Sequence, residues 1–255
     1  VNRLSIGLQS ANDGERRILG RRADKHEVLG AVSRAKEAGI GNISLDIMLG
    51  VPGQTKESLK STLDFCISSG VPHLSCYILK IEENTPFFRM RDKFPFPSDD
   101  DTADMYLFMC EYLEEHGIMQ YEISNFAVPG FESRHNLKYW HDEEYIGIGA
   151  SAHSFLGGKR TYYPRDIEYF ISGNERLTEG DGGDEEEFCM LALRLREGLT
   201  QERFYARFHH EIPQKMLESA KQYEKYGLCS CENGGISLTR RGFLLSNSVI
   251  SEIIL

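Results

Sequence analysis

The chain has 255 residues, 40% hydrophobic and 27% charged, a balance that excludes a disordered tail and accommodates one large domain or a medium and a small one. Lys and Arg total 29 against 39 Asp and Glu, and the resulting net charge of −10 argues against tracking nucleic-acid phosphates. No apolar run reaches the roughly 18–20 residues of a membrane helix, and Val1-Asn2-Arg3-Leu4 does not read as a signal peptide.

The first half repeats a strand–loop–helix–Gly unit. Leu4, Ile6 and Leu8 alternate and end in the polar Gln9. Asp24 and Glu27 form a capping box, Val28, Leu29, Val32 and Ala35 supply an apolar stripe, and Gly39 stops the helix. A strand follows over residues 42–48, Pro52-Gly53 turns the chain, and Thr55 caps a helix carrying Leu59, Leu63, Cys66 and Ile67. Gly70 ends that helix and a third strand runs over residues 73–79. A loop with Phe87, Phe88, Phe94 and Phe96 leads to Ser98, which caps a helix ended by Gly117.

This rhythm predicts an α/β fold of parallel βα units, either a (β/α) barrel or a doubly wound sheet. Both place ligands at the carboxyl ends of the strands. Polar residues there are functional candidates: Gln9, Asp46 and residues 77–82. Asp46 interrupts an apolar strand, where a carboxylate is costly unless paired or facing a ligand. Arg21-Arg22 is a solvated basic pair or a fork for a carboxylate or phosphate. No Gly-rich phosphate fingerprint follows a strand.

Residues 121–126 and 134–140 read as short strands or extended segments. Residues 145–154 are a run of small residues that suits close backbone approach to a ligand or another strand, and residues 165–171 read as a short helix. Residues 181–187, acidic and Gly-rich, read as a linker or helix entry, which divides the chain into 1–180 and 181–255. Beyond it come three helical stripes, a hairpin around Gly234-Gly235 and one last helix from Thr239 to Leu255, the order of a small winged-helix-like α+β module. Its basic residues are interleaved with acidic ones, against a nucleic-acid face.

Cys66, Cys76, Cys110 and Cys189 sit in apolar patterns as small core residues, and Cys229-Ser230-Cys231 reads as structural. No nucleophile–base pair or metal-ligand cluster is legible from spacing. His135, Asn136, Tyr139 and Trp140 fall within seven positions. They are either a satisfied core His beside a packed Trp or a ligating imidazole with rings to cover a flat macrocycle. His153 is either a ligand-facing residue or a locally hydrogen-bonded one.

Several stretches resemble the radical S-adenosylmethionine proteins of the coproporphyrinogen dehydrogenase class, and most closely their HemW-like haem-chaperone branch. They are Arg3-Leu4-Ser5-Ile6-Gly7-Leu8-Gln9-Ser10, Leu19-Gly20-Arg21, the run from Ile43 through Thr55, the run from Tyr121 through Ala127, Ser133 through Trp140, and Tyr145 through Ser154. The resemblance implies a partial (β/α)6 barrel, here its C-terminal half, with S-adenosylmethionine across the strand ends on a [4Fe-4S] cluster. It implies cofactor contacts from Gln9, Arg21 and Asp46, with Lys80, Ala152 and His153 as further wall positions. It implies haem binding by His135, Asn136, Tyr139 and Trp140, with His135 as the residue offered to iron. The function implied is haem binding for delivery to haem-dependent respiratory proteins in the cytoplasm, with peripheral membrane contact through those partners and a dimeric state as further expectations. Oxygen-independent oxidation of coproporphyrinogen III is the alternative, and a nucleic-acid module a third. The family's CxxxCxxC cluster motif has no counterpart here. The sequence therefore reads as lacking the first barrel units and the cluster ligands, with an exposed barrel edge and no radical chemistry of its own.

Overall fold

The computed structural model describes residues 1–254, and Leu255, the expected end of the last helix, lies outside the described residues. The chain divides into two compact units, Val1–Glu132 and Ser133 onward.

The first unit contains β1 (Leu4–Gln9), α1 (Asp13–Ile18), α2 (Lys25–Glu37), β2 (Ile43–Leu49), α3 (Lys56–Ser68), β3 (His73–Ile78), α4 (Pro86–Met90), α5 (Asp99–Glu115), β4 (Met119–Gln120) and β5 (Asn125–Ala127). Capping boxes form at Asp24, Thr55 and Ser98 and fix the starts of α2, α3 and α5. Gly39, Gly70 and Gly117 follow these helices with positive φ, where a side chain would be strained. The sheet order is β1-β2-β3-β5-β4. β1, β2 and β3 pair in parallel, as βα units require. β5 and β4 run antiparallel, which departs from the purely parallel expectation. The reason is the short bend at residues 121–124, which returns the chain without a crossover helix, so the extended reading of residues 121–126 holds only at its end.

One face of this sheet is apolar. Leu45, Ile47, Leu49, Leu74 and Phe126 are fully buried there, with Leu59 and Leu63 of α3 and Met109 and Leu113 of α5. Cys66, Cys76 and Cys110 belong to this core.

The second unit contains α6 (Arg134–Trp140), β6 (His153–Leu156), β7 (Lys159–Tyr162), α7 (Ile167–Ile171), β8 (Leu177–Asp181), α8 (Glu185–Ala192), α9 (Gln201–Phe208), α10 (Gln214–Glu224), β9 (Cys229–Ser230), β10 (Ser237–Leu238), α11 (Arg240–Leu244) and α12 (Ser246–Ile254). β6, β7 and β8 form an antiparallel meander. Residues 134–140 are helical rather than extended. Ser133 caps the turn through Asn136 N at 3.5 Å, and the aromatic residues that favour a strand locally find no partner strand. Asp181 ends β8 and Asp184 caps α8, so residues 181–187 are a helix entry and not a free linker. The break at 180/181 falls inside this unit.

From α8 onward, helices α8, α9 and α10 are followed by the β9–β10 hairpin, the order expected of a winged-helix-like module. Phe188 meets Phe204 and Phe208 edge to face, and Phe204 and Phe208 are tilted against each other with centroids 4.9 Å apart. The single last helix is two, α11 and α12, broken at Leu245. Among the described residues no helix is long and apolar enough to cross a membrane.

Candidate functional site

The second face of the parallel sheet is polar. Register pairs Ser5 with Ser44, Ser44 with His73, Asp46 with Ser75 and Ser75 with Asn125, so these side chains share one face. They are hydrogen-bonded across the strands. Ser5 Oγ donates to Asp46 Oδ1 at 2.7 Å, and Ser44 Oγ lies 3.5 Å from the same oxygen. Ser44 Oγ meets His73 Nδ1 at 2.8 Å and Ser75 Oγ at 3.2 Å, and His73 Nε2 meets the Tyr121 hydroxyl at 2.9 Å. Burial, helped by the charge of Arg3, pushes the His73 imidazole down to about 3, so it is neutral at physiological pH. Asn125 Oδ1 is buried on this face with no hydrogen-bond partner among the described residues.

Gln9 closes β1 in the left-handed region, φ 68°, at a bulge in the pairing with β2. Its amide folds back over Gly7, where a Cβ would lie 2.8 Å from Gln9 Nε2. The loop beyond is held from beneath. Arg16, buried, donates to Leu8 O at 2.6 Å and to Ser10 O at 3.1 Å, and also to Ala23 O. Arg21 N in turn donates to Arg16 O at 2.9 Å, and the Arg21 residue is exposed. Gln54 holds the loop after β2, with Gly50 N donating to its Oε1 at 2.8 Å and its Nε2 donating to Met48 O at 3.0 Å. Lys80 lies at the exposed end of β3, paired with Glu82 at 3.0 Å.

In the second unit, His135 and Tyr139 stand one turn apart on α6, Nε2 to hydroxyl 2.9 Å, with the rings edge to face at 5.0 Å. Tyr139 packs edge-on against Tyr145 at 4.5 Å. Trp140 is half-buried beneath the Arg194 guanidinium at 6.0 Å. Asn136 is half-buried on the same helix. His135 itself is exposed, so the reading of it as a packed core residue fails. Ala152 and His153 lie apart from α6 in sequence. His153 pairs with Glu179 at 3.1 Å and stacks on Tyr162, in a cavity of about 460 Å³ that Arg165 and Thr178 also line.

The exit of α6 is locked by charge. Asp142, φ 52° and its side chain 1% exposed, meets Arg160 of β7 at 3.2 Å and Arg207 of α9 at 3.3 Å, while Glu187 of α8 meets Arg160 at 2.7 Å. Burial first, then the Glu187 charge, raises the Asp142 carboxyl to about 6 against the pull of the two arginines. A carboxyl whose folded value lies above its ordinary one contributes stability that is lost as pH rises through that folded value. The melting temperature of the wild type minus that of Asp142→Asn therefore falls between pH 5 and pH 7, and a difference flat across that range would refute the assignment.

Residues 1–66 match the model of the radical SAM superfamily, and residues 185–245 that of the HemN C-terminal domain. The whole chain is 35% identical to "Heme chaperone HemW" of Bacillus subtilis, across 70% of that protein, and 34% identical to "Heme chaperone HemW" of Lactococcus lactis, across 69% of it. The chain belongs to the HemW family. Escherichia coli coproporphyrinogen III oxidase HemN, a radical SAM enzyme, shares the fold at a TM-score of 0.79 and 20% identity, over 99% of this chain and 64% of the oxidase.

Superfamily membership implies S-adenosylmethionine and a [4Fe-4S] cluster. The polar sheet face fits the first: Gln9 at the end of β1, Asp46 within β2 and the unsatisfied Asn125 Oδ1 at the start of β5 offer acceptors there. The cysteines do not fit the second. Five of the six are buried, and burial raises the thiols of Cys66, Cys76, Cys189 and Cys229, the last two to about 12. Among the described residues no three His, Cys, Asp or Glu side chains are placed to hold a metal ion.

Sequence reading named Gln9, Arg21 and Asp46 but passed over Ser5, Ser44, His73, Arg16 and Gln54. A signal for the first three was present. Ser5-x-Gly7-x-Gln9, Ser44-x-Asp46 and His73-x-Ser75-x-Tyr77 are polar at period two, whereas a parallel strand covered on both faces reads as apolar throughout.

Proposed function

We propose that the chain binds haem on α6 and passes it to haem-accepting proteins. The carrying observation is the exposed His135 with its ring held by the Tyr139 hydroxyl at 2.9 Å. A hydrogen bond to one imidazole nitrogen fixes the tautomer and makes the other nitrogen the better ligand. In this reading His135 takes the tautomer whose Nε2–H donates to the Tyr139 hydroxyl, which leaves Nδ1 as the nitrogen offered to iron. Tyr139 and Tyr145 supply aromatic rings beside it, and aromatic faces suit a macrocycle. The names of the relatives support the same reading.

In the first unit, Gln9 and Asp46 take the polar groups of S-adenosylmethionine, and Arg21 takes its carboxylate or ribose, beside Lys80. Haem titration followed by visible absorbance tests the haem reading. His135→Ala is expected to weaken haem binding by at least roughly tenfold, the loss of about 1.4 kcal/mol, and to change the position of the Soret band. An identical titration and band for wild type and variant would overturn it. The oxidase reading shares the scaffold alone, and anaerobic turnover of coproporphyrinogen III would favour it.

A further inference from the structure

Asp46 is contacted by two serine hydroxyls, one of which is held in turn by a buried histidine and, beyond it, a tyrosine hydroxyl. Both hydroxyl contacts to its carboxylate converge on one oxygen: Ser5 Oγ at 2.7 Å and Ser44 Oγ at 3.5 Å, each to Oδ1. Oδ2 has no protein hydrogen bond among the described residues. Ser44, buried, is held in turn by His73 Nδ1 at 2.8 Å, and His73, also buried, by the Tyr121 hydroxyl at 2.9 Å. None of Ser5, Ser44 and His73 lies at the carboxyl end of its strand, the end at which Gln9 closes β1. Their geometry acts on Asp46 and through it.

We propose that Ser5, Ser44 and His73 are positioning residues that pin Asp46 Oδ1 and so present Oδ2 to the polar groups of S-adenosylmethionine. The proposal rests on the reading of Asp46 as a ligand contact. A carboxylate free to rotate must be ordered when ligand binds, and pre-ordering removes that cost. A neutral imidazole suits the role. It can hydrogen-bond at both nitrogens without placing a second charge beside the carboxylate. Ser44 is the joint of the line, because its single hydroxyl lies within reach of His73, Ser75 and Asp46.

The test is equilibrium dialysis of S-adenosylmethionine against the full chain and its variants. Ser5→Ala and Ser44→Ala are each expected to raise Kd by roughly three- to tenfold, the scale of one hydrogen bond. Ser5→Thr, on an exposed strand position that tolerates the extra methyl, restores wild-type affinity. In an Asp46→Asn background neither alanine raises Kd further, because the group they position is gone. Should Ser44→Ala fail to fold, Tyr121→Phe removes the far hydroxyl without a cavity and is expected to raise Kd about twofold, again only when Asp46 is present. Wild-type affinity in both alanine variants would overturn the proposal. So would losses that add in full to Asp46→Asn, since that is how a general structural defect behaves. Wild-type affinity in Asp46→Asn itself, or no binding by the wild type, overturns the underlying reading and the proposal together.

Discussion

Arg16→Met is expected to lower the free energy of unfolding by about 3–5 kcal/mol. The guanidinium is 2% exposed and donates to three main-chain carbonyls, those of Leu8, Ser10 and Ala23. Methionine fills much of the same volume but donates nothing. Two buried acceptors, the carbonyls of Leu8 and Ser10, then lose their partner along with the part-buried one of Ala23, and each buried loss costs roughly 1–3 kcal/mol when water cannot replace it. The loss falls at the end of β1 and in the loop that carries Arg21, whose own main-chain N–H is held by Arg16 O at 2.9 Å. Urea unfolding monitored by circular dichroism measures the change. A shift below about 1 kcal/mol, the size of an ordinary surface substitution or little more, would show that Arg16 does not hold this loop. Arg16→Lys, with one charged head in place of the fork, is expected to fall between the two.

Gly147→Ala is expected to cost about 2–4 kcal/mol, at the upper end of overpacking effects. A Cβ at this position would sit 2.1 Å from His153 O and 3.0 Å from the Ala152 side chain. The obstacle is main chain, so no rotamer change relieves it. Nor can the loop easily lift away. Gly147 N donates to Ser154 Oγ at 3.0 Å, and Arg176 donates to Gly147 O at 3.1 Å. Tyr145 and Phe155 exchange two main-chain hydrogen bonds, at 2.8 and 3.0 Å. Tyr145 packs on Tyr139, so displacement of this loop reaches the ring that holds His135. Thermal unfolding is expected to shift downward, and the haem Soret band to broaden or move. A variant as stable as the wild type, with an unchanged haem spectrum, would show that the close approach is dispensable. The small-residue run at 145–154 pointed to such an approach, and Gly147 is the position that needs it.

Much of the first unit is determined locally. Capping residues, apolar stripes at helical spacing and terminal glycines act within a few residues of one another, so α2, α3 and α5 are legible to within a residue or two of their ends. β1, β2 and β3 follow from alternation and from their place between helices. The antiparallel return of β5 is not local. It depends on the bend at residues 121–124 and on an open strand edge that only the folded sheet offers. The same holds for β7 and β8, four and five residues long, whose pairing joins segments with no distinctive pattern of their own. α6 escaped because seven residues are too few to show a helical period, and Tyr139 and Trp140 favour strands on propensity alone.

The site divides along the same line. Asp46 and Gln9 stand out in the sequence because a polar residue inside an apolar strand must be compensated. What compensates Asp46 is invisible there. Ser5, Ser44 and His73 lie on three different strands, and register brings the two hydroxyls to one carboxylate oxygen and His73 to Ser44. Asp142 is plainer still. In the sequence it is one acidic residue among several after α6. In the fold it is buried between arginines from β7 and α9, with a glutamate of α8 alongside. Its raised proton affinity exists only because burial and a neighbouring carboxylate were imposed together. The sequence by itself determined the capped helices and parallel strands of the first unit and singled out Asp46 and Gln9 as polar residues in apolar strands. The tertiary structure decided which of those residues share an environment, because hydrogen bonding and burial act through space and not along the chain.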